Sequence, residues 1–472
     1  MRSTGRVFFG RPLAASARQD EDAVGEDPQD PQENVPEADP MISSANFTES
    51  ERRELADAIE QNLVEHVLVP WFPRALDKKR GGYHQNYGES WNELTDLSRS
   101  VVYQARLTWV AAEAMNFFPK QADDWRAHLR HGCDYLRGTL WDAEHGGWYW
   151  EIGADSKQPD TTRGTEKHAY GIAFGIYASA AAYRVMEDQG GLTRARDAFF
   201  WLERNAHDER NGGYFEALTR EGKPLLETPQ GQTTDAIGTR YGLRSMNTHI
   251  HLMEAFTALY DVWPDPALRT RLEEVFRIVR DRMATTDGSM DLYFQPDWTP
   301  VPNRCSFGHD VETAFLLAEA ACVLGEPANE QTWVVGRRLV DHALRSGWDE
   351  RNGGFFQAGG PEGKVTNARK VWWTQAEGLN ALLLMDRQFA RADLRYRDAF
   401  LQQWRFIVNC QIDPKNKGWH TEVSAEGVPR LGQNKSHRWK DPYHQTRALM
   451  RCAQVLRERT EDQGFARFSP AV

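Results

Sequence analysis

One short pattern recurs through the chain: an aspartate, four further residues, then a glycine followed by an aromatic residue. Its clear copies are Asp77…Gly82-Tyr83, Asp142…Gly147-Trp148, Asp208…Gly213-Tyr214, Asp349…Gly354-Phe355 and Asp413…Gly418-Trp419. Successive glycines lie 65, 66, 141 and 64 residues apart, and a degraded copy at Asp287-Gly288 falls within the long gap. The chain therefore holds six repeats of about 65 residues, which is the signature of a repeat architecture.

Each repeat has room for a polar turn and two helices. Between the turns the apolar residues recur every three or four positions, as expected for helices with one buried face. Two such stripes are Leu252, Ala255, Phe256, Leu259 and Tyr260, and Ala314, Leu317, Ala318 and Ala321. The segments around each Gly-aromatic pair favour short extended hairpin arms at the helix ends. Six helical hairpins can form an open superhelix or a closed ring, and the period alone does not decide between them.

The charge of the chain is concentrated near its start. Residues 19–40 carry nine acidic side chains and no basic one, which accounts for most of the net charge of −11. A Pro-rich, acidic segment without large apolar residues cannot bury enough surface to offset its chain entropy. We predict a disordered acidic tail at 1–40, a single helical domain at 41–460 and a C-terminal tail at 461–472.

Composition also excludes several classes of partner. No basic run of the kind that binds nucleic-acid phosphates is present, so a nucleic-acid partner is not expected. No stretch approaches the roughly 18 apolar residues of a membrane span, and the Val7-Phe8-Phe9 patch is too short for a secretory signal. The five cysteines show no close spacing and are expected to be reduced thiols, which predicts a cytoplasmic protein.

Four segments concentrate His, Glu, Arg and Trp at one phase of the repeat, each after a Gly-aromatic turn. They are Met246 to Glu254, Gly308 to Glu312, Lys370 to Glu377 and Pro442 to Arg447. Asn247 and His251 are four residues apart and His309 and Glu312 three apart, so each pair shares a helical face. Any one histidine fits a buried structural role, but recurrence at one phase favours a shared site, which requires a closed ring.

The chemistry of these segments leaves several alternatives. The histidines and Glu312 are metal-ligand types, but no HExxH, CxxC or DxDxDG spacing is present, so we predict no metal site. Serine-hydrolase and nucleotide-binding loops are also absent from the sequence. Glu312 and Glu377 can supply the two carboxyls of a glycoside hydrolase, which remains an alternative. The 17 tryptophans fit sugar recognition, because indole rings stack on sugar faces.

At these segments the chain resembles the N-acylglucosamine 2-epimerase superfamily, and within it the cellobiose 2-epimerases. The resemblance covers nearly all of residues 50–455 and rests on several motifs together. They are Ala105-Arg106-Leu107, Lys167 to Gly171, Asn247 to Ala255, Gly308 to Glu312, Trp372 to Glu377 and Trp439 to Arg447. The resemblance implies an all-α fold, the (α/α)6 barrel, with its site in the funnel and no cofactor.

The resemblance also assigns roles to residues. The implied acid/base pair is His309 and His444, supported by Arg106, Tyr170, Asn247, His251 and Glu312, with Trp372 and Trp373 lining the sugar site. We add Glu377 and Trp419 to the predicted substrate-binding residues. The segment around Trp419 departs from the Gly-Glu-Trp of many relatives. The implied partner is a small sugar, bound by a monomer or homodimer.

Two histidines suit the implied reaction, which inverts C2 of a reducing aldose. After ring opening, one base removes the C2 proton to give an enediolate, and a second group returns a proton to the opposite face. Arg106, Asn247 and His251 are expected to stabilise the enediolate, and Glu312 to orient His309. His251 or His444 is expected to open the ring. An aldose-ketose isomerase shares every step except the last, so mannose isomerase chemistry is the main alternative.

Overall fold

The computed structural model describes residues 47–153, 166–360, 362–390 and 392–458 of the chain. The two predicted tails, 1–40 and 461–472, lie outside the described residues. The described helices are α1 (Glu49–Asn62), α2 (Val69–Trp71), α3 (Val101–Phe117), α4 (Ala122–Tyr135), α5 (Ala169–Met186), α6 (Gln189–Asn205), α7 (Met246–Val262), α8 (Pro266–Ile278), α9 (Phe307–Val323), α10 (Glu330–Gly347), α11 (Trp372–Phe389), α12 (Arg395–Phe406) and α13 (Tyr443–Arg457). π-helical turns extend α1, α4, α8 and α12, at Leu63–Leu68, Leu136–Leu140, Val279–Met283 and Ile407–Gln411.

Strands are short and lie between the helices. They are β1 (Arg99–Ser100), β2 (Glu151–Ile152), β3 (Lys167–His168), β4 (Ala217–Leu218), β5 (Arg244–Ser245), β6 (Tyr293–Phe294), β7 (Cys305–Ser306), β8 (Ala358–Gly359), β9 (Val365–Asn367), β10 (Lys370–Val371) and β11 (Glu422–Val423). The antiparallel pairs are β1–β2, β3–β4, β5–β6, β7–β8, β8–β9 and β10–β11. The prediction of a mainly helical chain with short extended arms is confirmed.

The long helices form two sets. The first set, which we call the inner helices, is α3, α5, α7, α9, α11 and α13, and most residues in each are buried. Each of α3, α5, α7, α9 and α11 packs against the helix that follows it, and α13 packs against α1. Each inner helix also contacts the next one, and α13 contacts α3. No described helix is both long and apolar enough to cross a membrane.

The repeated aspartate pairs with a basic residue in its five clear copies, and in four of them that residue lies just before an inner helix. In the second copy, Asp142 Oδ1 accepts the backbone N–H groups of Glu144 and His145, and its Oδ2 accepts from Lys167 Nζ at 3.0 Å. Gly147 adopts a φ of +73°, which strongly favours glycine. The same arrangement recurs in the pairs Asp77–Arg99, Asp208–Arg244, Asp349–Lys370 and Asp413–Lys435.

The degraded copy at Asp287-Gly288, the fourth along the chain, lacks this ion pair. Arg99, Lys167, Arg244 and Lys370 each lie two residues before the first residue of an inner helix, whereas Cys305 occupies that position before α9. Its thiol donates a weak hydrogen bond to Gly360 O at 3.6 Å. The start of α9 is therefore held differently from the other inner-helix starts.

His249 has a structural role in this framework. Its Nε2 accepts the backbone N–H of Tyr214, and its Nδ1 donates to Ser245 O, four residues earlier. Gln375 makes the equivalent bonds in α11, with Phe355 N and Val371 O. Burial lowers the pKa of His249 to about 3, so this ring is neutral in the folded protein.

We expect His249→Gln to make the protein less sensitive to acid. The unfolded histidine binds a proton below pH 6.5 but the folded one does not until about pH 3, so wild-type stability falls as the pH drops through this window. Glutamine can make the same two hydrogen bonds and does not titrate. Urea unfolding should therefore give similar stabilities at pH 8 and an advantage of about 2 kcal/mol to the variant near pH 5. A constant difference across this range would contradict the assignment.

Candidate active site

The first two turns of the inner helices carry most of the predicted site residues. Arg106 lies on α3, Tyr170 on α5, Asn247 and His251 on α7, His309 and Glu312 on α9, Trp372, Trp373 and Glu377 on α11, and His444 on α13. Each inner helix except α13 begins directly after one of the short strands, which positions its first residues. Ser100 and Ser245 cap α3 and α7 by accepting backbone N–H groups of the first turn.

A single arginine on α13 connects its own helix to three other inner helices, α7, α9 and α11. Arg447 on α13 donates from Nη2 to Glu312 Oε1 at 2.6 Å and to Glu377 Oε1 at 2.7 Å. Its Nη1 donates to Glu254 Oε1 on α7. All four side chains are buried. We refer to these four residues as the carboxylate hub.

The hub fixes two of the histidines. His251 Nδ1 lies 2.8 Å from Glu254 Oε2, and His444 Nδ1 lies 2.7 Å from Glu377 Oε1. An ionised carboxylate can only accept, so each Nδ1 carries the hydrogen and each Nε2 carries a lone pair. Both rings are therefore set up to take a proton at Nε2.

The surroundings favour an ionised Glu254 and a neutral His444. Burial opposes ionisation of Glu254, but Arg447 and His251 hold its pKa at about 2. Burial raises the pKa of Glu377, and the positive charge of Arg447 offsets only part of this rise. Burial, with the positive charges of Arg106 and Arg447, lowers the pKa of His444 well below its usual range. A neutral His444 is the form that can act as a base.

His309 is held by a different kind of partner. Its Nδ1 lies 2.7 Å from Ser306 Oγ, and its ring packs against Trp373 with centroids 4.8 Å apart. Burial lowers the pKa of His309 to about 4, against the negative charge of Glu312, which raises it. The expectation that Glu312 orients this ring is corrected, because the Glu312 carboxylate bonds to Arg447. Glu312 acts on His309 through its charge.

Arg106 provides a second buried cation near His251. Its guanidinium bonds to Asp441 at 3.3 Å and to the Tyr170 hydroxyl at 3.1 Å. The Tyr170 ring meets His251 edge-on with centroids 5.1 Å apart. The structure thus brings these three predicted residues together.

The tryptophans of the predicted site differ in their exposure. Trp373 is partly exposed. Its ring contacts His309, with centroids 4.8 Å apart, and His444, with centroids 5.5 Å apart. Trp372 is buried, and its Nε1 has no hydrogen-bond partner among the described residues. Trp439, quoted in the motif but given no role, is partly exposed and lies 6.2 Å from the Tyr170 ring.

Two predicted binding residues are corrected. Trp419 is fully buried and donates from Nε1 to Asn62 Oδ1 at 3.1 Å, because the aromatic residue of each Gly-aromatic turn packs into the core. Glu377 is also fully buried and holds Arg447 and His444. Asn247 is partly exposed one helical turn before His251, and its side chain has no hydrogen-bond partner among the described residues.

Sequence reasoning missed Arg447 and Glu254 as site residues, although both lie in the quoted motifs. The available signal was spacing: Glu254 follows His251 by three positions, and Arg447 follows His444 by three. Three positions along a helix place two side chains on one face. Applied to every histidine of the four segments, this rule would have selected both residues.

Two groups of described residues have the composition of metal ligands. Glu312, Glu377 and His444 offer ligand atoms within 4.8 Å of one another, but the Arg447 guanidinium already binds both carboxylates as a fixed cation. His168, Glu216 and Asp235 form the second group. There the histidine bonds to Asp235 at 2.9 Å and Glu216 accepts from Ser245 at the start of α7. Both groups are thus occupied by internal contacts.

Comparison with known proteins gives a consistent family. The model of the family described as N-acylglucosamine 2-epimerase matches residues 81–448. A cellobiose 2-epimerase of Bacteroides fragilis is 27% identical over 406 residues, covering 86% of this chain and 99% of the relative. A D-mannose isomerase of Marinomonas mediterranea is 23% identical over 418 residues, covering 84% and 96%. The solved structure of cellobiose 2-epimerase from Spirochaeta thermophila is 29% identical with a TM-score of 0.76, covering 86% of this chain and 97% of that chain. The chain belongs to the N-acylglucosamine 2-epimerase family.

Proposed function

We propose that this protein is a sugar 2-epimerase that inverts C2 of a free reducing aldose. The observation that carries the proposal is the pair His309 and His444, whose rings both contact Trp373 and are each anchored through Nδ1. Their Nε2 atoms are left for proton transfer. Membership of the family and similarity to proteins named cellobiose 2-epimerase support the same reaction.

The proposed mechanism uses one neutral and one protonated histidine, which exchange charge states in each turnover. The neutral ring removes the C2 proton of the open-chain sugar at Nε2, and the protonated ring delivers its Nε2 proton to the opposite face of C2. The enediolate that forms between these steps is negatively charged, and buried Arg106 is the nearby cation that stabilises it. His251, with its lone pair at Nε2, is placed to move the proton that opens the sugar ring.

The fold we propose for this function is the (α/α)6 barrel of residues 41–460. Its support is the order of helix contacts, in which α3, α5, α7, α9, α11 and α13 each contact the next and α13 contacts α3. Each inner helix forms a pair with the helix packed against it, which is the next one along the chain or, for α13, is α1. In a barrel of this kind the six first turns meet at one end.

Two alternatives use the same residues. An aldose-ketose isomerase returns the proton to C1 instead of C2, and similarity to D-mannose isomerase keeps this outcome open. A glycoside hydrolase needs two carboxyls on either side of a bond. Glu312 and Glu377 instead converge on one guanidinium, which disfavours hydrolysis.

We also propose a cytoplasmic location and a monomer or homodimer that needs no cofactor. All five cysteines lie in the described residues and are free thiols, which fits a reducing compartment. The proposed partner is a mono- or disaccharide.

The reaction is tested by incubating the protein in D2O with cellobiose, glucose, mannose and N-acetylglucosamine and recording NMR spectra. We expect deuterium at C2 of at least one sugar together with its C2 epimer. Deuterium at C1 of a ketose would identify the isomerase instead, and release of monosaccharide without exchange would identify a hydrolase. No deuterium in any sugar would rule out the proposal.

Replacing either anchored histidine should remove interconversion of the epimers. We expect His309→Gln and His444→Gln each to lower the conversion rate by roughly 10²- to 10⁴-fold, because each removes one proton-transfer group. His249→Gln is the matched control, since that histidine makes its hydrogen bonds to backbone groups of the framework. Its rate at pH 8 should stay within about twofold of wild type. Equal losses in all three variants would point to damage of the fold.

Arg447→Gln should destabilise the protein as well as slow it. Removing the guanidinium leaves three buried carboxylates without their cation, which costs roughly 3–5 kcal/mol of unfolding free energy. Arg457→Gln on the same helix is the control, because its pairs with Asp57 and Glu60 are exposed and contribute at most about 1 kcal/mol. Urea unfolding measures both. Similar stabilities for the two variants would show that the carboxylate hub is not a structural requirement.

A further inference from the structure

Ser306 occupies a position that is a helix cap elsewhere in this chain. It is the residue before α9, as Ser100 is before α3 and Ser245 before α7. In α3 the Ser100 side chain accepts the N–H of Tyr103, and in α7 the Ser245 side chain accepts the N–H of Thr248. Serine is among the favoured residues at this position because its oxygen satisfies a free N–H group of the first turn.

The side chain of Ser306 does not cap its helix. It makes no hydrogen bond to a backbone N–H of the first turn, and its Oγ lies 2.7 Å from His309 Nδ1. The residue is buried, with 8% of its surface exposed. Its hydroxyl has thus exchanged the usual capping bond for a bond to a predicted catalytic ring.

We propose that Ser306 is a positioning residue that fixes the ring orientation of His309 and leaves its Nε2 directed to the substrate. The proposal rests on the proposed epimerase function, in which His309 is one of the two proton-transfer groups. Trp373 packs on the His309 ring, so a hydrogen bond at Nδ1 and a ring contact together fix its orientation.

The chemistry of the partner gives Ser306 a specific effect. His251 and His444 are anchored by carboxylates, which can only accept a hydrogen bond. A hydroxyl can accept from the Nδ1–H of His309 or donate to a bare Nδ1. Alternating acid and base roles at Nε2 leave hydrogen on Nδ1 throughout, so Ser306 Oγ accepts from it in both states, without the fixed negative charge that a carboxylate would add.

The charges around His309 come from three places. Glu312 lies on its own helix, His251 on α7 and Arg304 just before α9, and all three influence its titration. From α11 it is faced by the uncharged Trp373 ring, which also contacts His444 on α13. A carboxylate at position 306 would add a negative charge in direct contact with Nδ1.

Three substitutions separate positioning from capping. Ser306→Ala removes the hydroxyl, Ser306→Thr keeps it, and Ser306→Asp supplies a strong helix cap that can only accept. Ser100→Ala, at the equivalent position of α3, removes a true cap and is the control for loss of capping. The readouts are kcat, KM and the pH profile of epimer conversion in D2O.

We expect Ser306→Ala to lower kcat roughly 10- to 100-fold with little change in KM, and Ser306→Thr to restore most of it. Ser306→Asp should move the acidic limb of the pH profile upward by about one pH unit, because the carboxylate favours the protonated ring. Ser100→Ala should lower the melting temperature and leave kcat within about twofold. Wild-type kcat in Ser306→Ala, or a wild-type pH profile in Ser306→Asp, would overturn the proposal.

A readout without turnover separates this inference from the proposed function. In protein labelled with ¹⁵N-histidine, long-range NMR correlations report which ring nitrogen carries hydrogen, with His309→Gln giving the assignment. We expect the His309 nitrogen signals to change in Ser306→Ala and to be retained in Ser306→Thr. Unchanged signals in Ser306→Ala would overturn the positioning role. A wild-type protein without sugar exchange would overturn the function, while these signals would still decide whether Ser306 fixes the ring.

Discussion

The arrangement of the site depends on one buried ion cluster, in which Arg447 binds Glu254, Glu312 and Glu377. Charged groups removed from water are costly unless each is paired, so the cluster is stable only when four helices bring their side chains together. Two of these carboxylates then use their remaining capacity to hold histidines at Nδ1. The cluster therefore fixes the relative position of α7, α9, α11 and α13, and it determines which nitrogen of His251 and of His444 can react.

Burial gives the histidines their reactive form. Removal from water lowers the pKa of His309 to about 4 and that of His444 well below its usual value, which favours the neutral form that acts as a base. The ring that acts as the acid first takes up a proton at Nε2, and at His309 the negative charge of Glu312 favours that protonated form. The two rings differ in their anchors, a hydroxyl for His309 and a carboxylate for His444. The two proton-transfer groups therefore differ in the charge of the group bonded to Nδ1, although both rings contact Trp373.

The sequence predicted the helical repeats and the extended arms because both follow from local periodicity and from the backbone freedom of glycine. It also placed His309 and His444 in one region, since their segments recur at one phase of the repeat. Spacing alone gives His249 and His251 the same status, and it was the family resemblance that assigned only His251 to the site. Trp419 was assigned to the site because a buried aromatic and a lining aromatic look alike in sequence.

The central claim is that two histidines act on opposite faces of C2, and selective loss of label tests it most directly. Both C2 epimers of the substrate, each carrying deuterium at C2, are incubated in H2O with His309→Gln or with His444→Gln. Each variant retains one base, so it should wash deuterium out of one epimer only, and the two variants should choose opposite epimers. Loss of label from both epimers in either variant, or the same preference in both, would contradict the account.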